Sequence, residues 1–279
     1  MRGRFLVSSN EDPAEGNVYA DKSSLVLDWL LRVGLSRESF SLREVAKEAG
    51  VSLGLVQRVF NILVLKGLLQ VEGVRTAKRF SFNKPKELLE SWLEHYSIVK
   101  KCKIRTYRSA LSGKLEWFKA LNKSGLGSDV MLALHSAAEA LGLKNTNLEG
   151  LELYVVDSSI REKVESVLQL EPQERGYEVL LIEPYYKMLL KQNRKDGKEI
   201  GICPLLLVFL DLYHFPLRGQ EQAEFIAQRA PELKSIYSIL GAFLQVWIAV
   251  LFYGCCTIAA TYIIDGQRFV SWCFIGIII

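Results

Sequence analysis

At 279 residues, with 49% hydrophobic and 24% charged residues, the chain has room for two domains and material for a real core, which excludes a disordered protein. A net charge of +4 does not by itself argue nucleic-acid binding, but it is unevenly spread: residues 1–120 hold 21 Lys and Arg against 13 Asp and Glu, and the remainder 14 against 18. The five cysteines (Cys102, Cys203, Cys255, Cys256, Cys273) form no CxxC pair and lie far from the three histidines, so neither a zinc site nor a disulfide framework is expected, and a reducing cytoplasm is.

Residues 1–22 mix Arg, Ser, Asn, Glu, Pro and Gly without the apolar run of a secretory signal, and read as a flexible arm. Ser24 to Val33 carries apolar residues at helical spacing, with Gly34 as a stop. Ser41 caps a second helix, Leu42 to Ala49, with Glu44 completing a capping box. Gly50 turns the chain, and Ser52 caps a third helix running to about Lys66, with Val56, Val59, Phe60 and Leu63 on its inner face. Two short strands, Leu68 to Glu72 and Lys78 to Phe82, flank a basic hairpin tip. Pro85 opens another helix, from Lys86 to about Ile98.

This order predicts a winged helix-turn-helix over residues 23–98. The small Ala46 sits where the second helix meets the third, and glycine at position 50 takes positive φ cheaply. Ser52, Leu53, Gly54, Gln57, Arg58 and Asn61 are left on the outer face of the third helix. In a major groove, Gln and Asn read adenine edges and Arg reads guanine. Arg75, Lys78 and Arg79 on the wing suit phosphates or the minor groove. The partner expected is double-stranded DNA, the chain's own promoter.

A basic stretch, Lys100, Lys101, Lys103, Arg105 and Arg108, marks the expected boundary to a second domain, residues 99–234. There Val130 to Leu141 reads as a helix, Leu151 to Val156 as a strand and Arg161 to Leu168 as a helix. Tyr177 to Ile182 and Leu205 to Leu212 read as strands and Gln220 to Arg229 as a helix. The fold class is therefore α+β: an N-terminal winged helix-turn-helix plus a C-terminal mixed α/β domain, with an apolar C-terminal tail.

Two segments of the second half carry a resemblance. LALHSAAEALGL followed by LELYVVD (Leu132 to Asp157) is similar to a small-residue helix with a Ser-Ala-Ala core leading into a Tyr-Val strand. PLLLVFLDLYHFPLRGQEQAEFI (Pro204 to Ile226) is similar to an apolar strand, an Asp-Leu-Tyr turn and an Arg-Gly helix start. Both patterns resemble the AbiEi family of type IV antitoxins, in its transcriptional-regulator branch. With the winged helix in front, the resemblance covers about residues 24–234.

It implies an antitoxin that represses its own operon and neutralises a separately encoded nucleotidyltransferase-like toxin, with no stable complex required. Asp211, Tyr213, Arg218 and Gln220 are the residues it offers for antitoxicity, and Asp211 and Arg218 are close enough in sequence to pair. A buried strand with a polar corner accounts for the same residues, and a homodimer is compatible with both readings.

No catalytic set is legible, and neither a cofactor nor a metal is expected. Asp157, Glu183 and Lys187 lack the Glu-x-Lys spacing of a metal-dependent nuclease, Pro184 intervening. His135 reads as a packed, hydrogen-bonded histidine, and His214 has no matching nucleophile. GxSxG, P-loop and GxGxxG motifs are absent.

Residues 235–279 are apolar, and Ser235 to Ile264 holds thirty residues without a charge, long enough to span a bilayer. A membrane anchor on the inner face of the cell membrane, a helix buried in the fold or a dimer, and a frame change after about Leu240 all fit this tail. The anchor defines the alternative function, a membrane-tethered winged-helix regulator without a toxin partner.

Overall fold

The computed structural model describes residues 18–74, 77–194 and 199–236. Helix α1 (Asp21–Arg32) begins three residues before its apolar spacing suggested, and has an acid in its first turn and Arg32 in its last, matching the helix dipole. Val18 and Tyr19, within the stretch expected to be an arm, are buried. Asp28 is buried too, compensated by Arg32, whose Nε lies 2.9 Å from both carboxylate oxygens.

Helix α2 (Leu42–Glu48) starts with the capping box read from sequence: the Glu44 amide donates to Ser41 Oγ at 3.3 Å and the Ser41 amide to Glu44 Oε2 at 2.6 Å. Gly50 turns the chain at φ 65°. Helix α3 (Leu53–Leu65) follows, its first turn capped by Ser52. The hairpin strands β1 (Gln70–Glu72) and β2 (Arg79–Ser81) pair antiparallel, Val71 opposite Phe80. Phe40 and Phe80 exchange backbone hydrogen bonds of 2.9 and 2.8 Å, so the segment ahead of α2 joins the hairpin. Edge-to-face contacts Trp29–Phe40, Phe40–Phe60 and Phe60–Phe80 run from α1 through α3 to β2 and form the core of this part.

Helices α4 (Pro85–His95) and α5 (Ile98–Lys101) lead into a six-stranded mixed sheet. Its strands are β3 (Lys103–Ser109), β4 (Val130–Leu132), β5 (Leu151–Val155), β6 (Leu170–Pro172), β7 (Val179–Glu183) and β8 (Gly201–Ile202). Their spatial order is β6-β3-β7-β5-β4-β8. The β5–β7 and β4–β8 pairs are parallel and the rest antiparallel. The intervening helices are α6 (Lys114–Lys123), α7 (Leu134–Ala140), α8 (Ser158–Val167), α9 (Lys187–Gln192), α10 (Leu205–Tyr213) and α11 (Gly219–Arg229). The architecture is mixed α/β. Helix α7 packs on β5 and on α10, and α10 on α11.

Two expectations are corrected. Leu205 to Leu212 is helix α10, not a strand. Every residue from Leu206 to Leu212 is buried, and a run apolar on all sides satisfies either a buried strand or a buried helix, so periodicity could not separate them. Val130 to Leu141 is not one helix: its first three residues are the buried strand β4, zipped between β5 and β8, and α7 starts only at Leu134, which takes φ 45°. The basic stretch at Lys103 to Arg108 belongs to β3, hydrogen-bonded on both sides, with Lys103, Arg105 and Arg108 exposed and Tyr107 buried.

The described residues as far as Leu233 form one compact unit, in which the helical part and the sheet part share a buried seam. The Trp92 indole donates to Tyr186 Oη at 2.7 Å, and Tyr186 donates to the Tyr19 carbonyl at 3.1 Å. The Met188 amide, opening α9, donates to Asp21 Oδ1 at 2.8 Å at the start of α1. Gln192, at the end of α9, reaches the Ala49 carbonyl beside the turn between α2 and α3. Among the described residues no helix is long and apolar enough to cross a membrane, and the apolar tail beyond residue 236 lies outside them.

Candidate functional site

Helix α3 is divided lengthwise by burial. Val56, Val59, Phe60 and Leu63 are inaccessible, whereas Ser52, Leu53, Gly54, Gln57, Arg58 and Asn61 are all exposed, as their spacing predicts. Ser52 spends its hydroxyl on the cap. Among the described residues, Gln57, Arg58 and Asn61 make no hydrogen bond or ion pair through their side chains, and neither do the exposed Arg43 and Lys47 of α2 nor Lys78 of the hairpin. This face leaves several donors open and exposes Leu53 to 45%.

The three residues expected on a wing fare differently from one another. Arg75 lies outside the described residues. Lys78 is exposed. Arg79, though exposed, is engaged by its own chain: Nη2 donates to the Ser39 carbonyl at 3.0 Å, Nε to Ser39 Oγ at 3.2 Å and Nη1 to Glu44 Oε1 at 3.2 Å. Glu44 is the same carboxylate that closes the capping box, and the Ser41 amide first and Arg79 second hold its pKa below the ordinary carboxylate value. Arg79 thus ties β2 to the start of α2. Sequence reasoning missed this clamp because the two partners are 35 positions apart.

In the sheet part, Asp211 sits on α10 at 0% exposure, Oδ1 accepting from Tyr96 at 2.6 Å and Oδ2 from Tyr154 at 2.6 Å. Burial drives its pKa from 3.8 to about 7 against the lowering effect of the two hydroxyls. Cys102 adjoins Tyr96 and is pushed up to about 11 by burial, so its thiol stays protonated. The anticipated Asp211–Arg218 pair does not form, because Asp211 faces the core and Arg218, in the left-handed conformation at φ 63°, binds Glu221 instead. Tyr213 is half-buried against Phe209, and Gln220 is exposed and donates to Glu224. Of the four residues, only Tyr213, Arg218 and Gln220 can face a partner.

The Ser-Ala-Ala motif proves to hold a second buried acid. Glu152, the second residue of β5, accepts from the Ser136 hydroxyl, from the Ser136 amide at 2.9 Å and from Tyr177 at 2.8 Å. The Glu152 amide donates back to Ser136 Oγ at 3.0 Å, which locks α7 to β5. His135 is buried beside Thr146 and Phe215, and burial lowers it to about 4, so it stays neutral. Asp157 caps α8 and Glu183 pairs with Lys103 and Lys187, leaving the acids at the strand ends in structural use. Among the described residues no cluster of His, Cys, Asp and Glu stands where it could hold a metal. An open groove of about 1070 Å³ runs past Lys114, Lys144, Tyr177 and Leu217, next to the corner that carries Arg218.

A family model described as a transcriptional regulator, AbiEi antitoxin of a type IV toxin–antitoxin system, matches residues 81–231, more than half of the chain. The chain belongs to this AbiEi antitoxin family. No curated protein and no solved structure matches it. The match begins at Ser81, the last residue of β2, and covers the whole sheet part, including Ser136, Glu152 and Asp211, so both motifs that carried the resemblance lie within the AbiEi match. Helices α2 and α3 lie ahead of the matched residues. The AbiEi description as a transcriptional regulator meets there a helix with an open polar face.

Proposed function

We propose that this AbiEi protein is an autorepressing antitoxin whose α2, α3 and β1–β2 hairpin form a winged helix-turn-helix on its own promoter. The observation that carries the reading is α3 itself: one face sealed against the core, the other bearing Gln57, Arg58 and Asn61 with no side-chain partner among the described residues. Gln57 and Asn61 offer paired donors and acceptors for adenine, and Arg58 a fork for guanine. Ser52 and Leu53 stand at the end of α3 that enters a groove first. Lys78 and Arg75 lie along phosphates. The sheet part neutralises a nucleotidyltransferase-like toxin, without a stable complex being required, through the accessible corner of Tyr213, Arg218 and Gln220. Asp211 serves that corner from inside, by anchoring α10.

Gel shifts with the gene's own promoter test the DNA half. Arg58→Ala and Gln57→Ala should each weaken specific binding by about 1–3 kcal/mol. Lys78→Ala should weaken all sequences alike and lower the slope of log K against log salt by about 1. Equal loss on promoter and random duplex for Arg58→Ala would remove α3 as the reading helix. Rescue of cells from the toxin encoded beside the gene tests the other half, and rescue should survive Arg58→Ala.

A further inference from the structure

Glycine weakens a helix relative to alanine, and Gly54 occupies the second position of α3 without a structural reason for being there. Gly50 and Gly67, which bracket the helix, have φ of 65° and 67° and make the turns. Gly54 is not in the left-handed region, and a Cβ built on it meets nothing within 4 Å. Neither its backbone nor any neighbour in the described fold asks for the missing side chain.

Its place on the helix is informative. At about 100° per residue, Gly54, Gln57, Arg58 and Asn61 fall within an arc of about 100° with Gly54 near its middle, and the buried Val56, Val59, Phe60 and Leu63 lie diametrically opposite. The one position without a side chain is therefore at the centre of the open polar face. A helix of about 10–12 Å diameter only just enters a major groove of about 12 Å, so a bare patch there brings the backbone closer by about a methyl group. That brings the short Asn61 side chain and Gln57 toward the base edges, and Leu53, next to the glycine and apolar, toward a thymine methyl.

We infer that Gly54 is the point of closest approach between α3 and duplex DNA, and that a side chain there would hold the reading residues away from the bases. This rests on the DNA-binding reading above. The test uses the full chain with Gly54→Ala and Gly54→Leu, thermal melting, and titration of the promoter duplex. For Gly54→Ala the two readouts should move in opposite senses: the melting temperature rises by about 1–3 °C, and promoter affinity falls about 10-fold or more. Gly54→Leu should lose more affinity still, with the same far-ultraviolet spectrum as the wild type. Both variants binding the promoter within about twofold of the wild type would overturn the inference while leaving DNA binding standing. A wild-type chain that retains no promoter duplex even at low salt would overturn the DNA-binding reading, and the glycine's role with it.

Discussion

Asp211 gives the sharpest quantitative test of the buried architecture. Its carboxyl is inaccessible, accepts two hydroxyls at 2.6 Å, and is raised by burial from 3.8 to about 7. The folded value lies above the unfolded one, so between about pH 4 and pH 7 the folded state binds the extra proton and stability falls as pH rises through that window. A rise of this size corresponds to at most about 4 kcal/mol lost by pH 8, at about 1.4 kcal/mol per tenfold change in proton affinity. Asp211→Asn keeps the shape, offers its carbonyl to one tyrosine and its amide to the oxygen of the other, and cannot ionise. The variant's stability relative to wild type should therefore improve by about 2–4 kcal/mol between pH 5 and pH 8. Urea unfolding of both proteins at the two pH values measures this, provided that the denaturant slope is unchanged. Asp211→Ala, which strands two buried hydroxyls, should be destabilising by about 1–3 kcal/mol per hydroxyl at low pH. A wild-type-to-Asn difference that is the same at both pH values, within about 0.5 kcal/mol, would refute the account of a carboxyl kept protonated by burial.

Two further outcomes follow from the clamp and the seam. Arg79→Ala should leave the salt dependence of promoter binding unchanged, because this guanidinium is committed to Ser39 and Glu44, and should cost no more than about 1 kcal/mol in thermal melts, the pair being half-exposed; a slope lowered by about 1, as for Lys78→Ala, would mean that it contacts phosphate. A fragment ending at residue 98 removes Tyr186, the acceptor for Trp92, and Asp211, the acceptor for Tyr96, so it should melt well below the intact chain and bind the promoter only when cooled; coincident melting curves would show that the helical part stands alone.

The sequence by itself determined the local pieces. Ser41 with Glu44 fixed one helix start, Ser52 another, and Gly50 and Gly67 the turns, because caps and positive φ are satisfied within a few residues. The division of α3 into a buried and an open face was equally legible, since 3.6-residue periodicity is written along one element. The resemblance to AbiEi antitoxins rested on two local motifs, and both lie within the residues that the family model matches. What only the tertiary structure decided involves partners distant in the chain. Burial on every side left Leu205 to Leu212 open to either state, and it packs as a helix against α7 and α11, while Val130 to Leu132 is a strand because β5 and β8 are there to pair with it. Arg79 found Glu44 at the surface, 35 positions away, and Asp211 found Tyr96 and Tyr154 in the core, 115 and 57 positions away. A charged side chain has the same composition whether it meets a phosphate or a carboxylate. Which one it meets depends on what the fold brings within about 3 Å of it, and that distance is not encoded in any local spacing.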